Sequence, residues 1–243
     1  MSNYTTQHHQ NYTRMATETT IFTTLLPDGR SYYAYADLPS EMCMTEEEFK
    51  TLWSEHPLEY GKVMNHGKVH DTPRWQKSYG LGYYFSGLMH EADPISNDYV
   101  KRLLAYVNEL TLEKGMFSQK QIDAGAVYNQ VLVNWYKDGD HCIGKHSDDE
   151  GQLHENTPIY TVSFGQTRDF VVESKKNKKG NEVYRKVIPV KNNTLLIMGG
   201  EMQKHYYHSV PRRTTKKVKS PRISITFRCF KHQEVGSKRK RNN

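Results

Sequence analysis

The sequence predicts an α+β fold: a double-stranded β-helix, or jelly roll, buttressed by helices on one side. Two observations predict it. Helical patterns occupy the first half, and from Val127 onward strand-length segments rich in β-branched and aromatic residues follow one another between turn signals. Helices first and a long series of strands afterwards is the order of an antiparallel barrel with helices packed on it. A third observation, the length of 243 residues, fits one domain with tails.

Taken in order, residues 1–20 are polar and rich in Thr, Asn, Gln and His, and read as a disordered tail. Residues 21–232 form the expected domain, and 233–243 a basic tail. Thr45-Glu46-Glu47-Glu48 with Phe49, Leu52 and Trp53 behind it reads as a capped amphipathic helix. Residues 60–80 mix Gly, Pro, basic and aromatic residues and read as a hairpin or loop. Tyr83-Tyr84-Phe85-Ser86-Gly87 is a short aromatic strand. Val100, Leu103, Leu104, Val107 and Leu110 have helical spacing, which places a second helix over Tyr99–Leu112. Strands are expected from Val127 onward, on the segment leading to His146 and at 159–164, 169–174, 183–190, 194–198 and 223–230, with the basic run 175–182 as a hairpin tip.

Composition narrows the function. No apolar run is long enough to cross a membrane, and the first residues lack the basic-then-apolar pattern of a secretory signal. Cys43, Cys142 and Cys229 are too few and too scattered for a disulfide framework, which points to the nucleus or cytoplasm and away from secretion. The net charge of +7 conceals a division. Residues 1–173 carry 14 Lys/Arg against 24 Asp/Glu; residues 174–243 carry 20 against 3. A positive half of this kind faces a polyanion, and nucleic acid is the obvious one. Lys175, Lys176, Lys178, Lys179, Arg212, Arg213, Lys216 and Lys217 are the expected phosphate contacts. Lys238-Arg239-Lys240-Arg241 fits either nuclear import or phosphate binding.

Three patterns carry chemistry. His146-Ser147-Asp148 places an imidazole and a carboxylate on one face of extended chain, two-thirds of a 2-His-1-carboxylate site for ferrous iron. His208, 62 residues on, is the candidate third ligand. In the strand Arg222-Ile-Ser-Ile-Thr-Phe-Arg228, alternation puts Arg222, Ser224, Thr226 and Arg228 on one face, opposite Ile223, Ile225, Phe227 and Cys229. Two guanidiniums on one strand face need partners, and a dicarboxylate supplies them. Asn134 and Tyr136 also share a face and add an amide and a phenol.

With these residues in view, the chain resembles the AlkB family of Fe(II)/2-oxoglutarate dioxygenases over about residues 60–231, most closely the branch that repairs alkylated duplex DNA. Asn134-x-Tyr136, His146-x-Asp148, His208 and RISITFR carry the likeness, with YYFSGL, VNWYKDG, GKHSDDE, VSFGQTRDF and HSVP in matching order. The resemblance implies that His146, Asp148 and His208 hold Fe(II). It implies that Arg222 and Arg228 clasp 2-oxoglutarate, helped by Asn134, Tyr136 and Thr226. The reaction would oxidise 2-oxoglutarate to succinate and CO2 and hydroxylate the N-methyl group of 1-methyladenine or 3-methylcytosine, which is lost as formaldehyde. Such bases pair poorly and are cheaper to extrude from a helix. Phe85 would then stack on the flipped base, Tyr83 and Tyr84 line its pocket, and Asp149 attract its positive charge.

Two departures from the pattern matter. Ser224 stands where the motif has Asn. At the loop Asn65-His66-Gly67-Lys68, duplex-acting relatives carry an apolar finger with an aromatic tip, and His66 is smaller and polar. The partner is therefore expected to be alkylated DNA, single-stranded or duplex, with RNA as the alternative substrate, and the chain is expected to act as a monomer with no membrane contact. Two readings from other classes stay open: a non-catalytic nucleic-acid-binding jelly roll, and a hydroxylase of proteins or small molecules. The first has no use for the triad and both arginines; the second gives the basic half no purpose.

Overall fold

The computed structural model describes residues 11–85, 87–175 and 183–231. Two antiparallel sheets form its centre. In chain order the strands of the large sheet are β1 (Phe22–Leu25), β2 (Ser31–Asp37), β5 (Trp75–Gly80), β8 (Gln130–Tyr136), β10 (Ile159–Gly165), β13 (Thr194–Gly200) and β15 (Arg222–Arg228). They lie side by side as β1-β2-β13-β10-β15-β8-β5. The small sheet holds β9 (Ile143–His146), β11 (Arg168–Ser174), β12 (Arg185–Val190) and β14 (Tyr206–Val210), ordered β12-β11-β14-β9. Two hairpins stand apart from these sheets: β3 (Lys62–Asn65) with β4 (Lys68–Asp71), and β6 (Tyr83–Phe85) with β7 (Leu88–His90).

The large sheet is covered on both faces, so its central strands are buried along nearly their whole length. One face meets helices. Helix α2 (Glu46–Ser54) begins with a capping box in which Thr45 and Glu48 satisfy each other's backbone N–H groups. Helix α3 (Asp98–Glu113) buries Tyr99, Val100, Leu103, Tyr106, Val107 and Leu110 at the spacing of one helical stripe. These residues pack against Val131, Val133, Trp135, Val162, Ile223, Ile225 and Phe227. Trp135 donates from its indole N–H to the Leu52 carbonyl at 2.9 Å, fixing β8 to α2. The other face meets the small sheet. Tyr33, Ile159, Leu196 and Met198 pack there against Phe170, Val172, Ile188, Val190, Tyr206 and Val210. Two short helices are α4 (Gln119–Asp123) and α5 (Met202–His205).

The expected jelly roll with helices on one side is present. The polar tail needs correction. Residues 1–10 lie outside the described residues, but residues 11–18 form a helix, α1. Tyr12, Met15 and Ala16 face the core, with Ala16 fully buried. The Thr19 hydroxyl meets the Tyr106 hydroxyl at 2.8 Å, and Lys114 donates to the Thr17 carbonyl. Three apolar residues at helical spacing suffice once α3 offers a surface to bury them. The hairpin β1–β2, which the sequence reading left unassigned, extends the large sheet through β2–β13 pairing. Residues 60–80 resolve into a hairpin and an edge strand. The tip of β3–β4 is a two-residue turn with His66 at φ 48° and Gly67 at φ 74°, the doubly positive pattern of a type I′ turn. Most of the basic tip at 175–182 and the tail at 233–243 lie outside the described residues; Lys175 is the described part of that tip.

Candidate active site

The residues singled out on β8, β9, β14 and β15 converge on one narrow cavity of about 50 Å³ between the sheets. Alternation decides which side chains reach it. On β15 the residues Arg222, Ser224, Thr226 and Arg228 line the cavity, while Ile223, Ile225 and Phe227 enter the helix-side core. On β8, Asn134 and Tyr136 do the same across from β15, paired with Ser224 and Arg222 respectively.

His146 ends β9 and lies directly opposite His208 on β14. Their rings are 4.1 Å apart, and Asp148 Oδ1 lies 3.6 Å from His146 Nε2 and 3.9 Å from His208 Nε2. One donor atom from each of the three falls within 4.8 Å of the others. Burial pushes His208 down to about 3 and lowers His146 as well, so both imidazoles are neutral. Burial alone would raise Asp148, but the Arg228 guanidinium bonded to it outweighs that penalty and keeps the carboxyl ionised, below its ordinary value. Two neutral imidazoles and an ionised carboxylate are the protonation states that metal ligation requires. The donor set fits a ferrous ion with open positions.

The two arginines differ. Arg228 has its own carboxylate: its Nη2 and Nε donate to Asp148 Oδ2 at 2.9 and 3.2 Å, and its Nη1 to Gln130. This leaves Asp148 Oδ1 turned toward the histidines. Arg222 is 2% exposed and donates only through Nη2, to the Ser163 hydroxyl at 2.9 Å. Its Nε and Nη1 have no partner among the described residues, and its guanidinium lies 4.8 Å from the Tyr136 ring. Thr226 bonds Thr161 within the wall of the cavity.

The residues expected to contact the base fall in two places. Tyr83 is buried in the cavity wall, raised to about 12 by burial, and Phe85 sits edge-on to His146 with ring centres 6.5 Å apart. Tyr84 is 63% exposed and points away. Asp149 is also exposed, outside the cavity, while Glu150 is buried in its wall. The alternation that selects His146 and Asp148 also selects Glu150 and rejects Asp149; the same rule separates Tyr84 from Tyr83 and Phe85. Burial pushes Glu150 up to about 7, with Asp148 adding to the shift and Arg228 opposing it, and Oε2 has no partner among the described residues. His66, Gly67 and Lys68 are exposed at the β3–β4 tip and do not line the cavity.

Arg74 was missed by the sequence reading. It is 5% exposed, lines the cavity, and donates to Asn134 Oδ1 at 2.7 Å and Gln76 Oε1 at 2.9 Å. That bond occupies the Asn134 oxygen and leaves its amide N–H groups to act as donors. The available signal was the Arg74-x-Gln76 alternation entering β5. Lys175, expected on phosphate, is half-buried with its amine turned inward, donating to the Ser147 hydroxyl and the Gln203 carbonyl.

Comparison with known proteins agrees with this geometry. The family model described as the 2OG-Fe(II) oxygenase superfamily matches residues 37–228. The chain belongs to that superfamily. Membership brings Fe(II) and 2-oxoglutarate as cofactor and cosubstrate. Among curated relatives, the human DNA oxidative demethylase ALKBH2 is 37% identical over 195 residues, covering 75% of the oxygenase described here and 67% of the human protein. The mouse protein of that name is 38% identical, covering 72% and 71%. Human alpha-ketoglutarate-dependent dioxygenase alkB homolog 3 is 31% identical, covering 66% and 52%. A solved oxidoreductase of the 2OG-Fe(II) oxygenase family from Burkholderia pseudomallei shares the fold of this oxygenase, with a TM-score of 0.50 at 14% identity over 93% of this chain and 92% of that one.

Proposed function

We propose that the protein is a nucleic-acid oxidative demethylase. His146, Asp148 and His208 hold Fe(II), and Arg222 takes a carboxylate of 2-oxoglutarate beside Asn134, Tyr136 and Thr226. Arg228 orients Asp148 by binding its other oxygen. Fe(II) held by these three residues would supply oxygen activation, through which oxidation of 2-oxoglutarate to succinate and CO2 would be coupled to hydroxylation of an N-alkyl carbon. The hydroxylated methyl group is then lost as formaldehyde. Phe85 and Tyr83 accept the base as aromatic walls, and Glu150, whose carboxyl burial pushes up to about 7, ionises against a cationic alkylated base and so favours it.

One observation carries the reading: a buried guanidinium with two unanswered nitrogens shares its cavity with a buried His-Asp-His cluster. A binding module needs neither. The name of the ALKBH2 relatives, DNA oxidative demethylase, points to methylated DNA as the substrate class. Single-stranded nucleic acid, RNA included, is a second reading favoured by the polar His66 tip. A monomer acting in the nucleus fits the basic carboxyl-terminal half.

The test is formaldehyde and succinate release with Fe(II), 2-oxoglutarate and methylated oligonucleotides, single-stranded and duplex side by side. Turnover of methylated strands that vanishes in Asp148→Ala, with nucleic-acid affinity within a few-fold of the parent, is the expected result. Turnover of 2-oxoglutarate without any loss of methyl groups would overturn it.

A further inference from the structure

Strand β9 ends at His146, so the next two residues have no ladder partner, although Ser147 and Asp148 are both buried. Their polar groups are met from outside the strand. The Asp148 backbone N–H donates to Gln203 Oε1 at 2.9 Å, and the Gln203 amide turns its other end to Met198 Sδ at 3.5 Å. Lys175, one residue beyond β11, donates to the Ser147 hydroxyl at 2.8 Å and to the Gln203 carbonyl at 2.9 Å. Its backbone N–H donates to the His205 carbonyl at 2.8 Å, and its amine lies 5.0 Å from the Tyr207 ring. Two side chains thus tie the segment bearing Asp148 to α5, and α5 leads directly into β14, which bears His208.

We propose that Lys175 and Gln203 are positioning residues that clamp the Ser147–Asp148 segment to α5, so that Asp148 Oδ1 faces both histidines. The inference rests on the reading of His146, Asp148 and His208 as the metal site. Arg228 fixes the carboxylate from one side, through Oδ2. The clamp fixes the backbone from the other. A carboxylate held at only one of these points swings about it, and a facial site tolerates little swing. The half-buried Lys175 therefore directs its amine to the protein's own polar groups, and its place at the edge of a basic run is no guide to its role.

The test uses the full chain without metal, titrated with Co(II) and followed by ligand-field absorption. Gln203→Leu and Lys175→Met are expected to weaken Co(II) binding by about ten- to a hundredfold, the range for partners behind metal ligands, and to shift the absorption band. The metal-free proteins should still fold, with melting lowered only by the unmet Asp148 N–H or Ser147 hydroxyl. Lys175→Arg, which keeps a donor in place, should lose clearly less Co(II) affinity than Lys175→Met. Gln203→Asn withdraws the amide from Asp148 by one methylene and gives the same reading if Leu prevents folding. Parental affinity and spectrum in both Gln203→Asn and Lys175→Met would overturn the clamp. So would equal losses in Lys175→Met and Lys175→Arg accompanied by equal falls in metal-free melting, which is the mark of general packing. Asp148→Ala is the control: if it binds Co(II) like the parent, the metal site itself is misplaced and the inference falls with it.

Discussion

A guanidinium kept from water with two nitrogens unanswered destabilises the fold unless a ligand completes it. Arg222 is in that state. Arg222→Met should therefore leave the melting temperature of the cosubstrate-free protein unchanged or raised, because the desolvation penalty disappears. The same change should raise KM for 2-oxoglutarate at least roughly thirtyfold, the ~2 kcal/mol lower bound for removing one partner of a buried charge pair. A destabilised variant with parental KM would mean that Arg222 is structural. The acids beside the triad separate in a second experiment. Glu150→Gln should lower kcat/KM for a cationic methylated base at least about tenfold relative to a neutral alkylated one, a differential of ~1.4 kcal/mol. Asp149→Asn should leave that ratio alone, since its carboxylate lies outside the cavity. Equal effects would remove Glu150 from recognition. At this scale the sequence was legible wherever period-two alternation was carried through, as on β8 and β15. The same rule places Tyr84 and Asp149 outside the cavity, which was not read for them because it was not applied to the neighbours of chosen residues.

Among the elements, the β3–β4 hairpin has its apolar surface behind the tip. Met64 and Val69 are paired across the strands and both exposed, and Met64 approaches Gly87 of the adjoining hairpin. His66 has a positive φ, a backbone state in which Phe is strained by roughly 1–2 kcal/mol. An aromatic tip at this position is therefore opposed by the turn itself. Val69→Ser is expected to lower kcat/KM on methylated duplex more than on single strands, while changing stability by less than about 0.5 kcal/mol as an exposed substitution. Equal losses on both substrates would show that the hairpin does not enter the base stack. Helices α2 and α3 were legible from caps and spacing. Helix α1 and strand β2 were not, because each depends on a partner distant in sequence: α3 for the one, β13 for the other. The internal role of Lys175 was hidden for the same reason, since α5 comes 27 residues later.

Across the whole molecule, charge is less lopsided than the count of basic residues implies. Arg212 is paired with Asp140 and Arg213 with Asp169, so carboxylates of the first half offset part of the second. Lys216 and Lys217 are exposed and form no ion pair among the described residues. Replacing both lysines with Gln should flatten the slope of log affinity against log salt by up to about 1.8, at ~0.9 for each duplex phosphate contact. Neutralising Arg212 and Arg213 should flatten it less. The reverse order would place the phosphate-facing surface elsewhere. The pairing of β9 with β14 has a consequence of another kind. β9 is a four-residue edge strand joined to one neighbour only, with an irregularity between its two pairs, and each of these two strands gives one histidine to the cluster. An ion held there is a staple across the weakest seam of the small sheet, and mass action makes its strength adjustable. At a hundred times its Kd it adds ~2.7 kcal/mol to the folded state. Chelation should accordingly speed amide exchange and protease nicking at residues 137–146 before it disturbs β8 or β15, which makes the local supply of iron a determinant of how long the protein survives as well as how fast it works.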